Sequence, residues 1–253
     1  MNYERKAPGA LNIVGPGRVG CSIAAAASDS GVEVELLGRD FDLEQIGGCD
    51  VLICVPDSEI PGVARRIAEG GLLPRLLGHC SGATTLEPLA ECQADGAFSL
   101  HPLQTVPDHD SDLRGCPAAI AGSSALAIEF AEDLAGRLGM SDFRVNEADR
   151  AVYHAAASIA SNYLVTLEQT AADLLENIGV EDPRSVLSPL IERSFRNWQA
   201  RGAEALTGPI ARGDEATIAC HRRALADRHS ELLPLYDELA TRTRDLTAAG
   251  ESS

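Results

Sequence analysis

Asn12 to Cys21, NIVGPGRVGC, is the stretch whose reading decides the fold. Gly15, Gly17 and Gly20 stand in a G-x-G-x-x-G frame directly behind the apolar run Leu11–Val14. Such a frame signals a dinucleotide site only where a first strand turns into a first helix at the start of a βαβ unit. The residues around it supply that context. Val19–Ser28 is rich in small residues and reads as a helix closed by Asp29-Ser30-Gly31, and Val32–Leu37 comes next as a second strand. Val51–Val55 is an unbroken apolar run of the kind buried on both faces of a parallel sheet, and it stops at Pro56-Asp57. Helical Ser58–Ala68 is the next element. A strand then ends at His79-Cys80-Ser81-Gly82, and Ala97–Leu100 ends at His101-Pro102. Ala118–Ala121, a helix over Ser124–Leu138 and Phe143–Val145 complete the alternation. This order predicts an α/β fold with a doubly wound parallel sheet of the Rossmann type.

Each glycine then has a role. Gly15 permits the tight turn, Gly17 admits a pyrophosphate to the backbone, and Gly20 lets helix and strand pack closely. The helix N-terminus faces the phosphates with unpaired N–H groups and a partial positive charge. At the end of the second strand an NAD site carries Asp or Glu for the ribose hydroxyls. Here the strand ends Leu37-Gly38-Arg39, so a guanidinium stands where a 2′-phosphate would lie, which predicts NADP. Asp40 leaves open a register in which a carboxylate reaches the ribose. The expected cofactor contacts are Gly15, Gly17, Arg18, Val19, Gly20 and Arg39, with Pro56 and Ser81 from the next two strand ends.

Composition limits the partners. The chain has 253 residues, 45% of them hydrophobic, and a formal charge of -17, which argues against nucleic acid and anionic membranes. Its apolar stretches fall short of the ~20 residues a membrane helix needs, and MNYERKAPGA lacks the apolar core of a secretory signal, so the cytoplasm is expected. Seven cysteines with no C-x-x-C pair suit reduced thiols. His79-Cys80 and Cys220-His221 lack metal-ligand spacing and are assigned local structural roles, so no metal is expected. Lys6 is the single lysine, so the positive charge rests on arginines, which fork well onto carboxylate and phosphate.

Past Asn146 strand signals vanish. The composition divides the chain into a nucleotide-binding domain, 1–147, and an all-helical C-terminal domain, 148–253. Glu147–Ile178 reads as one long helix ended by Gly179, with His154, Ser158, Ser161, Asn162 and Gln169 along one side. A polar stripe without Lys, Glu or Arg is a better pocket lining than a solvent face. Helical runs continue over Ser185–Gln199 and Glu215–Ala240, separated by the turn-rich Ala205–Asp214, whose Gly213-Asp214 either serves a site or caps the next helix. The tail from Ala248 to Ser253 is expected to fray.

The order GPGRVG, DVLICVPD, HCSG, SLHPLQT, YHAAASIASNYL and ALTGPIARGD resembles the Rossmann-like proteins that carry a DUF2520 C-terminal domain, over nearly the whole chain. That family is related to β-hydroxyacid dehydrogenases, ketopantoate reductases and deazaflavin-dependent NADP reductases. The resemblance implies an NADPH-dependent reductase of a small 2-oxo acid, with ketopantoate as the associated substrate, and a homodimer joined through the helical domain. The broader group carries Lys and Asn four residues apart on the first helix after the nucleotide domain, the lysine as general acid. Asn162 matches the asparagine, while Ser158 stands at the lysine position. A different acid is therefore required, and His101 and His154 are the candidates because histidine titrates near neutral pH. Asn162 and Gln104 are expected to orient the substrate. Loss of the lysine also leaves a second reading, an NADP-binding regulatory or scaffolding protein.

Overall fold

The computed structural model describes residues 10–71 and 73–250; Lys6, Leu72 and the last three residues of the expected tail lie outside them. By contacts the chain divides into two compact units, 1–165 and 166–253. The first contains a seven-stranded sheet in the order β2-β1-β3-β4-β5-β6-β7. Its strands are β1 Leu11–Val14, β2 Val34–Leu37, β3 Asp50–Ile53, β4 Leu76–His79, β5 Gly96–Pro102, β6 Pro117–Gly122 and β7 Ser141–Arg144. The side chains of β1, β3 and β4 are buried throughout, as strands covered on both faces must be.

Helices α1 (Arg18–Asp29) and α3 (Ala125–Arg137) cover one face, where Ile23, Ala27, Ala131 and Leu134 pack with Leu11, Ile13, Leu52 and Phe98. Helix α2 (Ile60–Glu69) covers the other, setting Ile60, Ala64 and Ile67 against Val14, Val51, Ile53 and Leu77. The expected doubly wound architecture is therefore present. Strands β1 to β5 are mutually parallel, but β6 pairs antiparallel to β5, and β7 runs with β6. The connection after β5 explains the reversal. Residues 103–116 contain no helix, and parallel neighbours require a long crossover.

The strand order changes direction at β1, with β2 on one side and β3 on the other. The crevice beyond the carboxyl ends of β1 and β3 is the switch point at which open α/β sheets bind ligands. The first unit then extends past the composition boundary at 147, because α4 (Arg150–Ser158) folds against the strand ends. A π-helical turn over Ile159–Tyr163 leads into α5 (Leu164–Asn177), so the expected single regular helix is interrupted.

The second unit is helical throughout its described elements. It contains α6 (Pro183–Arg201), α7 (Glu215–Arg228) and α8 (Leu233–Gly250). The run expected over Glu215–Ala240 breaks at His229, whose backbone (φ -147°, ψ 51°) is neither helical nor extended, ahead of Pro234 near the start of α8. Asp214 is the N-cap of α7: its carboxylate accepts from the Thr217 N–H at 3.1 Å and the Thr217 hydroxyl at 2.7 Å.

Candidate cofactor and active site

The three glycines of the opening turn are required for different reasons. Gly15 has φ +112°, and a Cβ there would lie 2.6 Å from the Cys54 carbonyl oxygen of β3's end. A Cβ on Gly20 would lie 2.1 Å from the Gly15 carbonyl oxygen. The protein's own packing therefore demands both. Gly17 is different, since a Cβ there would meet no heavy atom within 4 Å. It is the N-cap of α1, has an ordinary extended backbone, and offers no side-chain cap to the helix's first N–H groups. No acidic residue stands in the first turn of α1. An open, uncapped helix N-terminus at a switch point fits a phosphate-bearing ligand.

Four strand-end segments and α4 enclose a cavity of about 480 Å³ next to this turn. Gly17, Arg18 and Val19 line it from the turn, Cys54 to Asp57 from the end of β3, and Cys80 to Gly82 from the end of β4. His101 and Gln104 line it from the end of β5 and beyond, and His154 from α4. On the other side of the turn, a second cavity of about 290 Å³ is lined by Gly15, Gly38, Arg39, Phe41, Pro56 and Glu59, among others. Arg39 lies in the open there, with its side chain 85% exposed and a 3.7 Å ion pair to Glu59. The loop that carries it is fixed by Arg66, which lies over the Phe41 ring at 4.3 Å and donates to the carbonyls of Arg39 (2.6 Å) and Phe41 (2.5 Å). Asp40 is exposed and does not line this cavity.

Positioning of the histidine wall depends on Arg150, an almost fully buried cation at the start of α4. Its guanidinium donates to the Ser99 hydroxyl on β5 at 2.7 Å and to the Ser81 carbonyl at 2.6 Å. Glu147, 3.6 Å from Arg150, accepts from the Leu86 N–H at 2.5 Å. The Ser81 hydroxyl meanwhile accepts from the N–H groups of Ala83 and Thr84, closing the turn after β4. These bonds tie the 81–86 loop, β5 and α4 together, so His154 comes to rest beside His101, ring centroids 6.0 Å apart. Gly82 makes room for the pair: a Cβ on it would lie 2.7 Å from His154 Cδ2 and 2.9–3.0 Å from His101 Cε1 and Nε2.

His101 Nδ1 is 2.6 Å from the Tyr153 hydroxyl. Burial, and after it the charges of His154 and Arg150, pushes the His101 pKa down to about 4. It is a neutral imidazole at pH 7, which corrects the expectation that it titrates near neutrality. Burial likewise pushes Tyr153 up to about 12. His79 is wholly buried and also pushed down to about 4, mainly by burial; its Nε2 is 3.0 Å from the Thr85 carbonyl, a structural contact. The Nδ1 atom of His221 lies 2.9 Å from the Tyr236 hydroxyl.

Of the residues singled out from sequence, Gly17, Arg18, Val19, Pro56, Ser81, His101, Gln104 and His154 surround the first cavity, and Gly15 and Arg39 the second. Asn162 is exposed within the π-turn, where its side-chain oxygen accepts from the Ser161 hydroxyl at 2.8 Å, and it does not line the cavity. The polar stripe breaks up for the same reason. A π-turn adds one residue, which rotates the helix beyond it by about 100° relative to His154. Gln169, on that later stretch, pairs with exposed Asp173 at 2.6 Å. Sequence reasoning missed Arg150, Tyr153, Gly82 and Arg66.

A doubly wound sheet with its glycine turn at the switch point defines a Rossmann-type α/β protein. Residues 116–243 match the family described as a domain of unknown function, DUF2520, and the chain belongs to that family. No curated protein matches it significantly. Among solved structures it is similar to a Bacteroides fragilis protein provisionally described as an NADP oxidoreductase, with TM-score 0.78, 23% identity and coverage of 94% of this chain and 98% of that one. It is also similar to a Thermotoga maritima protein, with TM-score 0.77, 21% identity and coverage of 95% and 99%. A reductive aminase from Aspergillus terreus, in complex with NADPH and ethyl-5-oxohexanoate, gives TM-score 0.67 and 14% identity over 96% and 98%. At these identities the likeness establishes the fold.

Proposed function

We propose that the protein is an NADPH-dependent reductase of a small 2-oxo acid, with ketopantoate as the substrate to which its family resemblance points. One observation carries this reading: the open glycine turn and a pair of imidazoles line the same cavity. The NADPH-bound reductive aminase of similar fold supports the cofactor. The residues present fit it. Gly17 and the α1 N-terminus would hold the pyrophosphate, Arg39 the 2′-phosphate, and Pro56 and Ser81 the strand-end wall. When bound, the reduced nicotinamide supplies a hydride.

The chain's own residues then orient the carbonyl and manage its developing negative charge. A neutral His101 with its Nε2–H toward the cleft donates to the carbonyl oxygen, as a fixed dipole aimed where charge appears. Its low pKa suits it to this role better than to that of an imidazolium acid. His154 and Gln104 supply further polar contacts to the substrate, and Asn162 enters on the family resemblance alone. Ser158 leaves the site without the lysine of the broader group. Steady-state NADPH oxidation with a panel of 2-oxo acids tests the reading. Tight NADPH binding without turnover would favour the regulatory or scaffolding alternative.

This reading includes cytoplasmic location and a homodimer formed through the helical unit. Among its described residues, Ala172, Ile218 and Ala240 are the buried apolar side chains. Val186, Leu190, Phe195 and Trp198 of α6 are each more than half exposed. A helical unit with so small a core gains stability by covering some of these side chains with a second copy. Sedimentation equilibrium at micromolar concentration, with Trp198→Glu as the comparison, distinguishes dimer from monomer. No helix among the described residues is long and apolar enough to cross a membrane.

A further inference from the structure

Tyr153 lies behind the cavity wall. It does not line the cavity, yet its hydroxyl is 2.6 Å from the rear nitrogen of a histidine that does. Its ring is fixed from two sides, edge-on to His101 at 5.6 Å and to Phe143 of β7 at 5.8 Å. At its front, His101 presents Nε2 over Gly82, where the missing Cβ leaves space that any side chain would fill. The imidazole therefore bridges a hydroxyl that cannot reach the cleft and a cleft that lacks the usual lysine.

We propose that Tyr153 is a positioning residue that holds His101 as the Nε2–H tautomer and supplies the reaction's proton through it. The inference rests on the reductase reading above. With Tyr153 donating to Nδ1, the proton of the neutral ring must sit on Nε2, facing the substrate oxygen. When reduction leaves an alkoxide there, the Nε2–H proton moves onto that oxygen, and its bonding pair stays on Nε2. The Tyr153 proton moves onto Nδ1 in the same event, leaving a tyrosinate. After product leaves, the Nδ1 proton returns to the tyrosinate and Nε2 takes a proton from water, so each turnover draws one proton from solvent.

The surrounding groups favour this relay over a charged histidine. His154, Arg150 and His79 face His101 as neutral or positive neighbours, with Asp57 as the acidic one, and burial opposes a charge on the ring. Tyr153, raised to about 12, remains a stronger acid than a secondary alcohol, so net transfer from phenol to alkoxide runs downhill.

Nitrogen-15 histidine NMR of the full chain tests the tautomer independently of turnover. The expected spectrum shows His101 as Nε2–H from pH 5.5 to 8.5, with that preference lost in Tyr153→Phe. An Nδ1–H form in the unaltered protein overturns the proposal even if the protein is an active reductase. Where a 2-oxo acid is turned over, Tyr153→Phe should lower kcat about 10²–10⁴-fold with KM little changed. The unaltered protein should give a curved proton inventory in mixed light and heavy water, and Tyr153→Phe a linear one. Undiminished kcat in Tyr153→Phe also overturns it. If no 2-oxo acid is reduced, the reductase reading and the relay fall together, while the tautomer measurement still decides whether Tyr153 holds the donor.

Discussion

Replacing Arg39 by Ala should remove most of the preference for NADPH over NADH. The guanidinium's partner in the structure is Glu59 at 3.7 Å, and both side chains are largely or substantially exposed. An exposed pair of this kind contributes about 0–1 kcal/mol. A doubly charged 2′-phosphate that accepts charge-assisted hydrogen bonds offers about 1.5–3 kcal/mol. On the proposed reading, a bound 2′-phosphate would displace Glu59 from Arg39. Arg39→Ala should weaken NADPH about 10- to 150-fold and change NADH binding by less than about 2-fold. Glu59→Gln should act in the opposite direction, freeing the guanidinium and tightening NADPH by up to about 5-fold. Because the site is exposed, the NADPH advantage should shrink as ionic strength rises and the screening length falls below ~8 Å. Calorimetric titration of both cofactors against the three proteins measures all of this. Equal affinity of the unaltered protein for NADPH and NADH would refute the assignment. An NADH preference that disappears in Asp40→Ala would instead place the carboxylate on the ribose.

Gly17→Val should abolish NADPH binding in the same titration while leaving the thermal midpoint within a few degrees, because its extended backbone accepts a β-branched residue and its Cβ meets no protein atom; normal binding would reduce the motif to a turn. Gly20→Ala, by contrast, should destabilise the fold, since its Cβ would collide with the Gly15 carbonyl. Stability should depend on pH through His79: its pKa falls from an unfolded 6.5 to about 4, so the unfolded chain binds the extra proton between these values. Its contribution is fully present above pH 6.5 and is lost as pH falls toward 4, by up to about 3 kcal/mol. His101 adds in the same direction, so urea midpoints of His79→Gln should show a shallower but still present acid dependence. Asn162→Ala should lower kcat/KM about 10–1000-fold at unchanged NADPH affinity if that residue orients the substrate; an unchanged value would leave the orienting role to the cavity wall.

The sheet was legible wherever burial on both faces left a mainly apolar run, unbroken in Val51–Ile53 of β3 and interrupted by Asn12 alone in Leu11–Val14. Strand β7 was displaced in the reading because all four of its residues are exposed and Ser-Asp-Phe-Arg carries no such run. Direction was harder to read than position. The helix-free connection at 103–116 already implied a reversal after β5, but strand alternation alone does not encode it. At the site, the glycines and strand-end residues could be found because their chemistry sits on local turns. Arg150 and Tyr153 could not. An arginine and a tyrosine on a helix read as surface and core, and their partners Ser99 and His101 lie 51 and 52 residues earlier in the chain. The face of the stripe beyond His154 was misread because nothing in Ile159–Tyr163 announces a π-turn.

The unequal standing of the three glycines bears on how such a turn drifts over time. Substitution at Gly15 or Gly20 is opposed by the folded chain itself, whatever the turn is used for. At Gly17 the chain is indifferent, and a side chain can be refused there only by something that comes to occupy the cleft. A descendant released from its cofactor would therefore keep the outer two and lose the middle one first. Here that position is glycine, as the proposed pyrophosphate contact requires.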